Sequence, residues 1–218
     1  MLRFSLPVFT AFSVLAMHGE EIPLTDLTRL DLKEAKAETT THHGLTALKL
    51  VGNDAGPGGA FAVVKNFTFH NGTIDVEVSG APSRTADVQA RGFIGVAFRM
   101  AAEGARYEEI YIRPTNGRAD DQLRRNHSTQ YVSFPDWPWE RLRKESPGGF
   151  ESYADMVAGE WTHLRIVVQG TAASLYVNRA AQPCLIVHDL KLGDGAGAVA
   201  LWSGPGTEGY FRELAITR

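Results

Sequence analysis

The segment Gly92-Phe93-Ile94-Gly95-Val96-Ala97-Phe98-Arg99, followed after a short gap by Tyr107-Glu108-Glu109-Ile110-Tyr111-Ile112-Arg113, decides the fold. Both halves alternate with a period of two, which belongs to strands because successive side chains of an extended chain point to opposite faces. Folding the chain about Glu103 sets Gly95 opposite Tyr111, Ala97 opposite Glu109 and Arg99 opposite Tyr107. Ile94, Val96, Phe98, Ile110 and Ile112 then share a core face. The other face carries Arg99, Tyr107, Glu109, Tyr111 and Arg113 around the small Gly95 and Ala97. A slip of one residue would turn the charged set inward, so the register is well specified.

The same pattern extends along the chain. A second hairpin runs Trp161–Gln169, turns at Gly170-Thr171 and returns through Ala173–Asn178, with Leu164, Ile166 and Val168 facing the core and Trp161, His163 and Arg165 facing away. Further strands are expected at Leu45–Val51, Phe61–Val64, Gly72–Ser79, Gln130–Phe134, Cys184–Leu190, Ala198–Trp202 and Tyr210–Thr217. Residues Thr25–Glu38 read as a strand with a short helical turn. The 22 glycines and 10 prolines supply the turns that many short strands need. Without crossover helices, such strands form an antiparallel two-sheet sandwich, so the expected fold class is all-β. The longest irregular region is Pro114–Ser128, continued by Pro135–Gly149. Its Trp137 and Trp139 argue that it is ordered, and long loops in compact domains are commonly functional.

Composition excludes several classes. The chain has 218 residues, 22 Lys and Arg, 25 Asp and Glu and a formal net charge of −3. That balance offers no basic field for nucleic acid or an anionic membrane. At the N-terminus, Arg3 precedes an uncharged apolar run from Phe4 to Ala16, too short for a membrane span of about 20 residues and suited to a signal peptide. Residues 1–19 are therefore read as a signal peptide, with cleavage near Ala16–Gly19, and 20–218 as one domain of a secreted or periplasmic protein without a membrane span. The single cysteine, Cys184, cannot form an intrachain disulfide, so the domain depends on its core.

Three stretches resemble concanavalin A-like jelly-roll domains: 92–116, then Gly159-Glu160-Trp161-Thr162-His163-Leu164-Arg165-Ile166-Val167-Val168-Gln169-Gly170 with Leu175-Tyr176-Val177-Asn178, and Gly197-Ala198-Val199-Ala200-Leu201-Trp202 with Tyr210-Phe211-Arg212. Within that lectin and glucanase superfamily, the chain is most similar to bacterial exported domains of the laminin-G-like and keto-disaccharide-hydrolase types. The resemblance covers about Leu24 to Arg218. It implies two antiparallel sheets, one of them concave, with ligands on the concave face or its rim loops. It does not imply an activity.

Family 16 glycoside hydrolases carry Glu-x-Asp-x-x-Glu or Glu-x-Asp-x-Glu on a strand, placing two carboxylates for retaining hydrolysis. Here Thr73-Ile74-Asp75-Val76-Glu77 has Thr73 where the first glutamate should stand, so Asp75 and Glu77 read as a solvated pair. His42-His43 lacks the further ligands that zinc requires and reads as exposed loop. Gly52–Gly59 lacks the Lys-Ser/Thr of a phosphate loop and reads as a turn. There is no Gly-x-Ser-x-Gly elbow. No cofactor is called for. The one metal alternative is calcium at Asp189, Asp194 and the carbonyls of the 192–197 turn, a thin set for an ion that takes six to eight oxygens.

The richest region is Arg106–Lys144, where eight basic and six acidic side chains accompany Tyr107, Tyr111, Tyr131, Phe134, Trp137 and Trp139. Such a mixed, aromatic surface suits sugars, whose C–H faces lie against rings while their hydroxyls bond polar groups. The ligand site is therefore expected on the polar face of the 93–113 hairpin under the 114–149 excursion. Its expected residues are Arg99, Tyr107, Glu109, Tyr111, Arg113, Asn116, Gln130 and Trp137. The alternative on the same residues is tryptophans plugging the sandwich edge and charges pairing with each other.

Three functions are compatible with this surface. The leading one is a non-catalytic module binding a carbohydrate on its concave face. A glycan-processing hydrolase of the keto-disaccharide type would use Glu109 as acid or base, held ionised by Arg99 and Arg113 unless burial dominates. A protein-interaction or structural domain is the third.

Overall fold

The computed structural model describes residues 19–52 and 58–218. The expected signal segment therefore lies outside the described residues except for Gly19, as does most of the 52–59 turn. Fifteen strands are described: β1 (Glu20–Ile22), β2 (Leu30–Lys33), β3 (Ala35–His42), β4 (Leu45–Gly52), β5 (Ala60–Val64), β6 (Gly72–Pro82), β7 (Ile94–Met100), β8 (Tyr107–Ile112), β9 (Thr129–Phe134), β10 (Glu151–Ser152), β11 (Thr162–Gln169), β12 (Ala172–Val177), β13 (Leu185–Val187), β14 (Ala198–Ser203) and β15 (Thr207–Thr217). Two short helices, α1 (Gln122–Asn126) and α2 (Trp139–Glu145), lie in the 114–149 excursion. Among the described residues no helix is long and apolar enough to cross a membrane.

The strands form two antiparallel sheets. One runs β13-β12-β11-β6-β15-β4-β3 with β1 also on β15; the other runs β10-β9-β8-β7-β14-β5-β2. This is the antiparallel two-sheet sandwich that the alternation predicts, with the jelly-roll form that the resemblance implies. Ile94, Val96, Phe98, Ile110, Ile112, Leu164, Ile166 and Val168, expected in the core, are all 2% exposed or less. They meet Ile74, Val76, Leu201 and Phe211 from neighbouring strands, and all belong to one hydrophobic cluster.

The first hairpin has the register read from the sequence over most of its length: Gly95 pairs with Tyr111 and Ala97 with Glu109. It departs at Arg99. The pairing of β7 with β14 shifts between Ala198 and Ala200, and Arg99 has φ 51°. This is a bulge, in which one extra residue re-aims its side chain. One position of the hairpin is unexpected inside. Glu108 falls on the core face, fully buried, where its carboxylate accepts hydrogen bonds from Tyr131 Oη at 2.6 Å and the Leu192 amide at 2.8 Å. Burial pushes its pKa up despite those bonds.

Candidate functional site

The outward side chains of the second sheet form rows across its central strands. One row runs Phe61, Trp202, Gly95, Tyr111 and Gln130; the next runs Val63, Ala200, Ala97, Glu109 and Val132. Tyr107 lies beyond Glu109 on β8, opposite Phe134. A cavity of about 410 Å³ opens over this face, walled by Phe93, Tyr107, Tyr111, Val132, Phe134, Trp139 and Trp202, with Glu109 and Glu140 among its lining residues.

The walls are held by ring contacts. Tyr107 stacks on Phe134 with centroids 5.4 Å apart, and Tyr111 meets Trp202 at 5.0 Å and Phe93 at 6.2 Å. Such pairs contribute about 0.5–1.5 kcal/mol beyond the area they bury. Gly95 is needed here for close approach. A Cβ at this position would lie 2.3 Å from the Ile110 carbonyl oxygen and 2.6 Å from Tyr111 Cβ. The space left by Gly95 is thus taken up by its strand neighbour rather than left for ligand, which corrects one part of the sequence-based picture. Trp139 enters from α2, whose first turn follows Pro138. Arg143, one turn later, lies over its ring at 4.5 Å.

Glu109 is the cavity's chemical peculiarity. It is 3% exposed, and its Oε1 is buried with no hydrogen-bond partner among the described residues. Burial alone pushes its pKa well above the ordinary carboxyl value. Burial dominates here, which is the condition under which the flanking arginines were not expected to keep Glu109 ionised. The tyrosine hydroxyls of Tyr107 and Tyr111 are also pushed up by burial, so both stay protonated across the physiological range.

Of the eight expected site residues, the fold brings three to the cavity: Tyr107, Glu109 and Tyr111. Five are used elsewhere. The bulge sends Arg99 away from this face, where its guanidinium donates to the carbonyls of His70, Gly170 and Gly193. Arg113 is 5% exposed and donates to Tyr111 Oη and Gln130 Oε1, both at 3.0 Å, while facing the buried Glu151 at 3.4 Å. Gln130 spends its amide on the Tyr131 and Phe150 carbonyls. Asn116 donates to the His127 carbonyl and accepts from Arg124. Trp137 bridges back to Ser133 and lies beneath Arg141 and Lys191. The alternative of charges pairing with each other thus describes this half of the region correctly. Arg113, Arg143 and His127 converge on Glu151, whose side chain is 2% exposed.

Phe93, Phe134, Trp139 and Trp202 line the cavity without having been expected there. Trp202 carried a usable signal, since registering β14 against β7 places it beside Gly95 on the outer face. Choosing Trp139 over Trp137 needs the start of α2, which a seven-residue helix with no repeated apolar stripe does not announce.

The remaining candidates are engaged structurally. Asp75 pairs with His163 and Arg165, and Glu77 with Arg179, so they are ion-paired rather than simply solvated. His42 stacks on Tyr210 at 3.9 Å and bonds Ser79, so it is anchored rather than loose in an exposed loop. Burial pushes the Cys184 thiol up to about 11, which leaves it unreactive. Asp189 bonds Lys191, and Asp194 bonds His70. Among the described residues no group of three or more His, Cys, Asp or Glu is placed to hold a metal.

This architecture, two antiparallel sheets with the consecutive strands β7-β8-β9 in one of them, is a jelly-roll sandwich of the concanavalin A-like fold. Solved structures share it. A carbohydrate-binding module, CBM66 from Bacillus subtilis, superposes with a TM-score of 0.61 over 88% of this chain and 98% of its own, at 11% identity. The exoplasmic/lumenal domain of VIP36, in a Ca2+/Man-bound form, gives 0.56 over 93% and 90%, at 9% identity. The alginate lyase vAL-1 from a Chlorella virus gives 0.51 over 91% and 98%, at 12% identity. At these identities the likeness is one of fold. No protein-family model and no curated protein matches the sequence.

Proposed function

We propose that this chain is a carbohydrate-recognising domain that holds a sugar residue in the cavity over β7, β8, β9 and β14. The observation carrying the reading is the cavity lining itself: ring faces of Tyr107, Phe134, Trp139 and Trp202 around one buried carboxyl, Glu109. Aromatic faces suit the C–H surfaces of a pyranose or furanose, and a buried protonated carboxyl both donates and accepts with sugar hydroxyls. Fold neighbours that include a carbohydrate-binding module and a mannose-bound domain support the same reading. The chain is further proposed to be exported after loss of a segment ending near Ala16–Gly19, on the strength of Arg3 and the apolar run behind it.

A hydrolytic reading has one observation in its favour. A carboxyl kept protonated by burial is poised as a general acid, and Glu140 is a second carboxyl on the same cavity. Glycan-array screening of the wild-type protein and of Trp139→Ala, followed by product analysis of every hit, separates the two. Retained glycan with no product supports recognition. Released product lost in Glu109→Gln supports hydrolysis. Binding untouched by Trp139→Ala refutes the cavity as the site.

A further inference from the structure

The lining of the cavity also speaks to the charge of what it holds. Among the described residues its ionisable side chains are Glu109, Glu140 and the two protonated tyrosines, with no lysine, arginine or histidine. The cations that touch its rings are committed elsewhere. Arg113 lies 5.1 Å from the Tyr111 ring and 6.0 Å from the Phe93 ring, and Arg143 lies 4.5 Å from the Trp139 ring. Both guanidiniums end on the Glu151 carboxylate, Arg113 at 3.4 Å and Arg143 Nε at 2.9 Å. The two Nη groups of Arg113 also donate to Tyr111 Oη, Gln130 Oε1 and the His127 carbonyl. Withdrawing either from Glu151 to serve a ligand would strip a counter-charge from a carboxylate that is 2% exposed, which is strongly unfavourable.

We infer that the cavity is specific for uncharged sugar residues and rejects uronates and sulfated sugars. The inference rests on the glycan reading of the site and deepens it. An anionic sugar would lose its hydration on entry and find no cation, while its carboxylate or sulfate would approach Glu140 at the cavity. A neutral sugar meets ring faces for its C–H surface, and the Glu109 carboxyl for its hydroxyls. Discrimination therefore comes from a repulsive element as well as an attractive one.

Affinity electrophoresis of the full chain tests this with laminarin, levan and xylan as neutral probes and alginate and polygalacturonate as uronate probes. The expected result is retardation by at least one neutral glycan, with a dissociation constant at least tenfold below that for either uronate. Glu140→Lys, which adds a cation at the cavity, is expected to bring measurable retardation by a uronate. Uronate binding equal to or tighter than neutral binding, and lost in Trp139→Ala, overturns the inference while leaving the glycan site standing. Uronate binding that survives Trp139→Ala, or no retardation by any probe, overturns the glycan reading of the cavity and the inference with it.

Discussion

Glu109→Gln replaces a buried carboxyl by an amide of nearly the same shape, and its effect on stability depends on pH in a way that tests the burial directly. Glu109 is 3% exposed, and desolvation alone raises its folded-state pKa well above its ordinary value. Below the unfolded-state pKa of about 4.3 the group is protonated in both states and contributes no pH dependence. Above it the unfolded chain releases the proton while the folded protein keeps it. The native state then binds more protons, and stability falls as pH rises, until the folded pKa is passed. The slope approaches about 1.4 kcal/mol per pH unit for one such group. The amide variant lacks this slope. At pH 4 both proteins carry a neutral, unsatisfied buried polar group at this position, so the variant is expected to lie within about 1 kcal/mol of wild type. As pH rises towards 8 the difference should move in favour of the variant. Glu108, whose pKa is also raised by burial, titrates in both proteins and cancels in the difference. Urea unfolding of both proteins at half-unit steps from pH 4 to 8 measures it. A difference that stays constant across this range, or that grows against the variant, would refute the buried and unpartnered state of Glu109.

Two further outcomes follow from the packing. Phe98 is fully buried and packs edge-on against Phe69 at 6.4 Å, so Phe98→Ala is expected to cost about 3–5 kcal/mol in denaturant unfolding; a loss below about 1 kcal/mol would contradict the core register. Arg113→Met leaves Glu151 with one guanidinium fewer in a nearly dry setting and should destabilise by about 3–5 kcal/mol. A neutral result on thermal unfolding would mean that Arg143 and His127 suffice.

The core was legible because one face of each central strand is uniformly apolar. The period of two in Ile94–Phe98, Ile110–Ile112 and Leu164–Val168 leaves a single register in which the core face of these strands carries one carboxyl, Glu108. All eleven strands read from alternation are present, β2 and the first half of β3 fall in the Thr25–Glu38 stretch read as a strand with a helical turn, and the short β1 and β10 are added. The site was legible only in part. Its position on the outer face of the 93–113 hairpin and three of its residues follow from parity, since Tyr107, Glu109 and Tyr111 sit on one strand. Arg99 was lost to a bulge, which alternation does not foresee. Arg113, Asn116 and Gln130 have the residue types of a binding pocket, yet they are drawn into the network around Glu151, a partner 38 residues from Arg113 that no local pattern reveals. Aromatic walls from Trp139 and Trp202 require knowing which strands and helices are neighbours.

The four tryptophans allow the central claim to be tested in one spectrum. Each gives an indole N–H resonance in a 15N–1H correlation experiment. Trp139 and Trp202 line the cavity, Trp137 lies outside its lining, and Trp161 belongs to a turn before β11 in the opposite sheet. Titration with a glycan identified by the array should shift the Trp139 and Trp202 indole signals together, saturating with one affinity, and leave Trp161 in place. A titration that moves Trp161, or leaves both Trp139 and Trp202 unmoved at saturating glycan, would contradict the assignment of this cavity as the sugar site.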